Sequence, residues 1–428
     1  MKIDTLALVT LTGFLSISSS YAMEKAFDPN GQYLFGDWQG QRTALEQKGI
    51  KFEANVRTDT VYLADGGYDA DHAETSAQEL LGVSIDFEKL MGWQGLSFQI
   101  VATARNGESL SADHIQDPSA PMLSNTQSMF GRGNQDSRLT VLTFEKNFKD
   151  LGLSIKAGRM GMGIDFDYMP CDFENLAFCA AQMKWQNQFW KNAPVAQWGA
   201  RIKYELAPQW SASIGVFESN PDDSNAKLEE QGWSMDSKHA DGVTLPVELL
   251  WKPKLFQDQL AGTYRFGAFY NTSDDPINQK DIKTNAPENR TFGGWIAIEQ
   301  QLTAKHGTGK QGLHGFANFT WHDRATTKVD QSQQIGMKYY GVWDAQPNDF
   351  LGFAVNRTQL NQRFREGQMA QGNQQFNAEA EYNIELNYNA YVTPWLSLLP
   401  NLQYIVHPGG TRNVNNAFVV GIGSKIVF

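Results

Sequence analysis

Only two cysteines, Cys171 and Cys179, occur in the 428 residues. Two thiols exclude a disulfide-rich secreted scaffold, and with no histidine beside them they make a poor zinc centre. Histidine is scarce as well, seven in all and dispersed, and no His-Glu-x-x-His is present. No Gly-x-Ser-x-Gly elbow occurs. Gly309-Lys310 approximates a phosphate loop, but Ala304 and Gln311 stand where that motif requires Gly and Ser/Thr. Positive charge is in the minority, 36 Lys and Arg against 47 Asp and Glu, for a net charge of −11. That balance argues against nucleic acid as a partner. Past the N-terminus no run approaches the roughly 20 apolar residues a spanning helix needs. A chain of this kind crosses a membrane, if it does, only as a closed barrel of strands.

What is present starts with Met1 to Ala22, which reads as a secretory leader. Lys2 gives a basic start, Leu6 to Ile17 an apolar core, and Ser20-Tyr21-Ala22 small residues for cleavage. An exported chain meets an oxidising compartment, so Cys171 and Cys179 are expected to form one disulfide closing a short loop. Two free thiols packed as small hydrophobes are the plainer alternative. Residues 23–49 form a short segment ahead of any strand. There Asp37 can cap a helix over Trp38 to Lys48, with Gly49 as its stop.

From Ile50 onward the chain alternates. Near its end, Phe418, Val420, Ile422, Ile426 and Phe428 fall on one side of a strand over 416–428, and Gly421, Gly423 and Lys425 on the other. Ile50, Phe52, Ala54 and Val56 alternate with Lys51, Glu53, Asn55, Arg57 and Asp59. A charge facing lipid at mid-membrane costs roughly 2–4 kcal/mol, so the charged set must face a wet lumen. Strand 376–390 is the cleanest case, with Ala378, Ala380, Tyr382, Ile384, Leu386 and Tyr388 against Glu379, Glu381, Asn383, Glu385, Asn387 and Asn389. Such a row of carboxylates suits a wetted wall better than a packed core.

Sixteen such segments can be counted, including 76–90, 96–105, 138–145, 153–160, 197–206, 334–343 and 395–407. Short connections alternate with long polar ones at 106–137, 161–195, 218–242, 272–290 and 358–375, as periplasmic turns alternate with outer loops. The expectation is all-β: a transmembrane antiparallel β-barrel of about 16 strands over 50–428. It carries a short N-terminal periplasmic helical segment and long extracellular loops. Trp198, Trp210, Trp251, Trp395 and Tyr404 fit aromatic girdles. Asp165, Asp167, Asp172 and Glu174 share one loop and could hold a hard cation such as calcium, though a solvated face is the commoner use.

Several stretches together resemble the carbohydrate-selective porins, the OprB family. They are Phe35-Gly36-Asp37-Trp38 with Gly40, Arg42, Leu45 and Lys48-Gly49-Ile50; Ala157-Gly158-Arg159-Met160; Cys171-Asp172-Phe173 with Phe178-Cys179; Glu381-Tyr382-Asn383; Pro400-Asn401-Leu402-Gln403-Tyr404; and His407-Pro408-Gly409-Gly410. The likeness runs from about residue 33 to 428. Gln39 and Gln41 around Gly40 are a minor departure from the opening signature. The resemblance implies a sixteen-stranded outer-membrane channel for glucose and other sugars, without cofactor or catalytic residues. It also implies the Cys171–Cys179 disulfide and an inward loop after Arg159.

A channel needs a constriction that binds weakly enough to release. Candidate lining residues are Arg57, Asp59, Arg105, Arg159, Arg201, Arg265, Glu381 and Glu385 from strands. The stretch 161–195 is expected to fold inward and offers Asp165, Asp167, Glu174, Trp185 and Trp190. Expected partners are small sugars, outer-membrane lipid and lipopolysaccharide, and barrel-assembly machinery reading Phe428. Two alternatives stand beside the sugar channel. The same barrel could pass small organic acids such as hydroxylated ring carboxylates, although the acidic 376–390 strand argues mildly against it. An outer-membrane enzyme would need a Ser/His/acid constellation on the rim, where His72, His114 and His239 fall in outer loops.

Overall fold

Period-two alternation becomes a closed wall. The computed structural model describes residues 25–129, 135–185, 189–220, 232–238, 240–256, 260–274, 279–305, 309–372 and 379–428. The leader 1–22, His239 and Ala378 lie outside them. Among the described residues seventeen strands form one antiparallel sheet. They are β1 (Ile50–Gly67), β2 (His72–Asp86), β3 (Leu96–Gly107), β4 (Gln135–Phe148), β5 (Leu153–Met160), β6 (Gln197–Ala207), β7 (Trp210–Glu218), β8 (Val243–Trp251), the two-residue β9 (Lys254–Leu255), β10 (Leu260–Asn271), β11 (Thr291–Gln301), β12 (Gly312–His322), β13 (Val329–Tyr340), β14 (Phe350–Leu360), β15 (Ala380–Thr393), β16 (Leu396–Val406) and β17 (Asn415–Val427). Each pairs with its neighbour, and β17 pairs back on β1 from Asn55↔Val427 to Gly67↔Asn415. Sixteen strands thus close the barrel, with β9 a short addition inside the β8–β10 connection. Closure leaves no unpaired sheet edge to face lipid. No described helix is long and apolar enough to cross a membrane.

The side-chain faces follow from the register. Ile214, Val247, Phe266, Ile296, Ile335, Met337, Leu351, Phe353, Leu386, Leu402, Val420 and Ile422 point outward and are exposed. An apolar surface of that extent is stable only against hydrocarbon. Near the short-turn end Trp210 stacks on Trp251 with ring centroids 5.2 Å apart, and Tyr264 packs beside them. This is one arc of the expected girdle.

Several strand ends shift by a few residues, as at 334–343, where the strand is Val329–Tyr340, and two segments differ in kind from the sequence reading. The second strand stops at Asp86 rather than 90, because Asp86 caps a short helix, α1 (Phe87–Met91), by accepting from the Glu88 and Lys89 amides. Phe87 fits a strand's alternation, which hides this turn. At the N-terminus the helix is split. A 3-10 turn at Trp38–Gly40 precedes an α-helix at Gln41–Gln47, and the Asp37 carboxylate accepts from Thr43 N and Oγ1 at 2.8 and 2.9 Å, in the first turn of the α-helix rather than in the 3-10 turn. Gly49 ends the segment at φ +92°, where a Cβ would stand 2.5 Å from the Asp86 carbonyl, so glycine is required there.

Candidate functional site

The barrel interior is built by loops that turn inward. The segment between β5 and β6 crosses the lumen and is fastened at points all round the wall. Asp165 accepts from Lys156 Nζ on β5 at 2.9 and 3.0 Å and stands 3.5 Å from Arg201 on β6. Arg201 in turn holds Glu145 of β4 at 2.9 Å. The Asp167 amide donates to Glu248 of β8 at 2.9 Å, while its carboxylate accepts from the Met183 amide at 2.9 Å and Asn318 of β12 at 3.2 Å. Burial pushes the Asp167 carboxyl up to about 7, and nearby Glu248 adds to the effect. Trp190 packs edge-on against Trp295 of β11 and Phe269 of β10. Together with Met160, Met162, Phe166, Met183 and Phe217 they make an apolar cluster inside the barrel.

Further along, Cys171 and Cys179 are joined as a disulfide. The loop it closes lies on the inner faces of β13 to β17 and β1. Asp172 pairs with Lys338, and the Cys171 carbonyl accepts from Arg57 at 3.4 Å. The Glu174 and Asn175 amides donate to the two oxygens of Glu385 at 2.9 and 2.8 Å, and Asn401 donates to Glu174.

The loop between β3 and β4 covers the neighbouring arc. Ser128 Oγ and the Met129 amide donate to Asp59 Oδ2 at 2.7 and 3.0 Å. Thr126 offers its carbonyl to Gln403 at 2.9 Å, and Asn125 offers its own to the Leu176 amide at 2.7 Å, which joins the two loops. Glu381 accepts from the Gly409 amide at 2.7 Å, so a third loop is fastened in the same way.

These contacts sort the candidate residues. Arg57, Arg105, Asp165, Arg265 and Trp185 keep part of their surface free. Asp59, Arg159, Arg201, Asp167, Glu174, Trp190, Glu381 and Glu385 are buried. The wetted-wall reading of Glu381 and Glu385 therefore gives way. They do face the lumen, but at 3% and 0% exposure they serve as acceptors for loop amides. A buried carboxylate is tolerated when amides satisfy it, and here the amides come from loops distant in sequence. Trp190 is packing, and Trp185 leans on a cluster of Leu123, Val329, Leu360 and Phe364. Asp165, Asp167, Asp172 and Glu174 each go to a different partner and do not converge as a calcium site.

Water-accessible space remains toward the short-turn end. A cavity of about 530 Å³ is lined by Glu145, Ser154, Arg201, Lys203 and Glu205 among others. A second, of about 270 Å³, is lined by Arg57, Asp172, Tyr391, Trp395 and Lys425 among others. Glu145, Lys156, Lys338 and Lys425 are lining residues outside the sequence-derived candidates. Alternation puts each on the inward face, and that is the signal that could have found them. On the outer rim His72 and His114 come together, yet among the described residues the partners of their rings are carboxylates and each other, with no serine hydroxyl.

The model of the carbohydrate-selective porin, OprB family, matches residues 70–428. The chain belongs to that family. Porin B of Pseudomonas aeruginosa is 39% identical to it over 447 residues, 99% of this chain and 97% of the relative. A relative from Acinetobacter baylyi that also carries a porin name is 37% identical over 414 residues, 93% of each. The high-pH structure of Pseudomonas putida OprB superimposes with a TM-score of 0.88 at 36% identity, covering 94% of this chain and all of that one. The porin is thus an outer-membrane channel, and it passes carbohydrates selectively and passively.

Proposed function

We propose that the solutes are monosaccharides, glucose among them, moving down their gradient past the free faces of Arg57, Arg105, Asp165, Asp172 and Arg265. The observation that carries this reading is the pairing of acid and base along the lining. Lys156 and Asp165 are 2.9 Å apart, Arg201 and Glu145 2.9 Å, Arg265 and Glu248 2.7 Å. A lining of compensated charges is a weak ion filter but offers many charge-assisted hydrogen bonds to neutral hydroxyls. Loops stitched to the wall narrow the passage, and release stays fast because each contact is shared with a protein partner. On this reading residues 1–22 direct export and 23–49 sit at the periplasmic mouth. Lipid and lipopolysaccharide surround the apolar outer face, and assembly machinery reads the end of β17 at Phe428.

The test is single-channel current in a planar bilayer against glucose concentration. Saturable reduction of current by glucose is expected, with Asp165→Asn weakening it. A pore indifferent to glucose but blocked by a small hydroxylated ring carboxylate would overturn the sugar reading and install the organic-acid one.

A further inference from the structure

The β1–β2 turn and the loop after β3 meet at the outer rim, where His72 and Glu74 stand opposite Leu63 and Val61 on the same face of the wall as Asp59. The Tyr68 and Asp69 amides both donate to the His114 carbonyl at 2.9 Å, so the two segments are joined through their main chains. Gly67 makes the approach possible. It sits at φ +66°, and a Cβ there would lie 3.1 Å from that same carbonyl. Backbone contact therefore sets the side chains of Asp69, His72 and His114 facing one another.

Their donor atoms lie close enough to share one ion. His72 Nε2 stands 3.0 Å from Asp69 Oδ2, and His114 Nδ1 stands 3.5 Å from the same oxygen. One ligand atom from each of the three residues lies within 4.8 Å of the others, and no other such group occurs among the described residues. Ligands about 2.0 Å from a tetrahedral zinc ion are roughly 3.3 Å apart, which the two histidine-to-Asp69 distances match to within a few tenths. The two imidazoles stack at 3.9 Å with 8° between their planes, and one ring must turn for both lone pairs to meet at a single ion.

A neighbouring carboxylate favours one edge of His114. Glu74 Oε1 stands 3.4 Å from His114 Nε2. A carboxylate is an acceptor only, so it favours the proton on Nε2 and leaves a lone pair on Nδ1. That Nδ1 is buried and makes no hydrogen bond. It faces a carboxylate oxygen, and a lone pair opposite an anion calls for a cation between them. An outer carboxylate holding the far nitrogen of an imidazole is also how metal-ligating histidines are oriented.

We propose that Asp69, His72 and His114 bind a divalent transition-metal ion, zinc in the first instance, with Glu74 as the positioning residue behind His114. Two imidazoles with one carboxylate select borderline ions over calcium or magnesium, which prefer oxygen donors. Three protein ligands leave one position to water. The bound ion staples the β1–β2 turn to the loop that carries Ser128 and Met129 onto Asp59, and so braces the outer mouth of the channel.

The test uses untagged full-length protein in detergent, with ZnCl2 as the probe in titration calorimetry and CaCl2 as comparison. One zinc per chain is expected, with no comparable uptake of calcium. X-ray absorption at the zinc edge should show two imidazoles in the first shell. His72→Ala with His114→Ala should weaken binding at least about tenfold, and Glu74→Gln less. Zinc should raise the temperature of the folded-to-unfolded gel shift in the wild type and not in the double variant. Retention of heat-modifiable mobility on gels shows that the variant folds. Failure of the wild type to take up zinc, zinc binding that survives the double substitution, or equal binding of calcium would each overturn the assignment.

Discussion

Arg42 Nη1 donates to the main-chain oxygen of Phe428 at 2.9 Å, joining residues 386 positions apart. Its other terminal nitrogen reaches the Phe52 carbonyl at 3.2 Å, and its guanidinium lies over the Tyr33 ring. The Phe428 ring packs on Phe35 at 5.2 Å. The segment before the barrel therefore clamps the seam where β17 meets β1, and the guanidinium is buried while doing so.

Arg42→Lys should loosen that seam, since one ammonium cannot bridge two carbonyls and lie flat on a ring. Each hydrogen bond from a charged group contributes about 1.5–3 kcal/mol. The midpoint of the heat-induced gel shift should fall by several degrees. An unchanged midpoint would show that the segment only rests on the barrel.

Glu385→Ala should act on the inward loop more than on ion preference. It leaves the Glu174 and Asn175 amides without acceptors in a buried place. Larger and noisier single-channel conductance is expected, with cation-to-anion preference nearly unchanged. A clean shift toward anions at constant conductance would instead restore Glu385 as a wetted lining residue.

Reducing the Cys171–Cys179 bond should loosen the same loop. A cross-link over so short a segment contributes roughly 2–3 kcal/mol by limiting the unfolded chain. Mass spectrometry of the unreduced protein should find two hydrogens fewer than the composition demands. Conductance noise should rise after reductant in the wild type and not in a Cys171→Ser, Cys179→Ser variant, which should be noisy throughout.

Two loop groups give the loop's seating a pH dependence. Burial raises the Asp167 carboxyl from 3.8 to about 7, so the folded state holds an extra proton between those values and stability falls as pH rises through them. Burial lowers the Lys184 ammonium from 10.5 to about 7, so the folded state lacks a proton above 7 and stability rises from there toward 10.5. The gel-shift midpoint should pass through a shallow minimum near neutral pH. Asp167→Asn should flatten the acid limb and Lys184→Met the alkaline one. If both limbs persist in the double variant, the dependence arises elsewhere.

The wall of this barrel was legible because its physics is local. A strand with lipid on one side and water on the other must alternate, and sixteen alternating runs correspond to the sixteen strands of the closed wall. Parity even placed Glu381 and Glu385 on the inner face. What they do there was hidden, because their partners are amides about 210 residues earlier for Glu385 and 28 later for Glu381. Trp190 is a candidate lining residue by sequence because nothing local reveals that Phe269 and Trp295 will enclose it. Asp86 caps the short helix that Gly92 ends, and the apolar Phe87, which fits a strand's alternation, hides it in the sequence. The meeting of His72 with His114 depends on two connections folding toward each other, which no local pattern encodes.

The segment between β5 and β6 touches β1 through Arg57, β6 through Arg201, β8 through Glu248, β11 through Trp295, β13 through Lys338, β15 through Glu385 and β16 through Asn401. It is in effect a set of spokes inside a hoop. An empty hoop in a membrane flattens under uneven lateral pressure, and its bore changes with the tension around it. A spoked one keeps its cross-section, so the width of this passage is set by the protein's own bonds and is insulated from the mechanics of the surrounding bilayer.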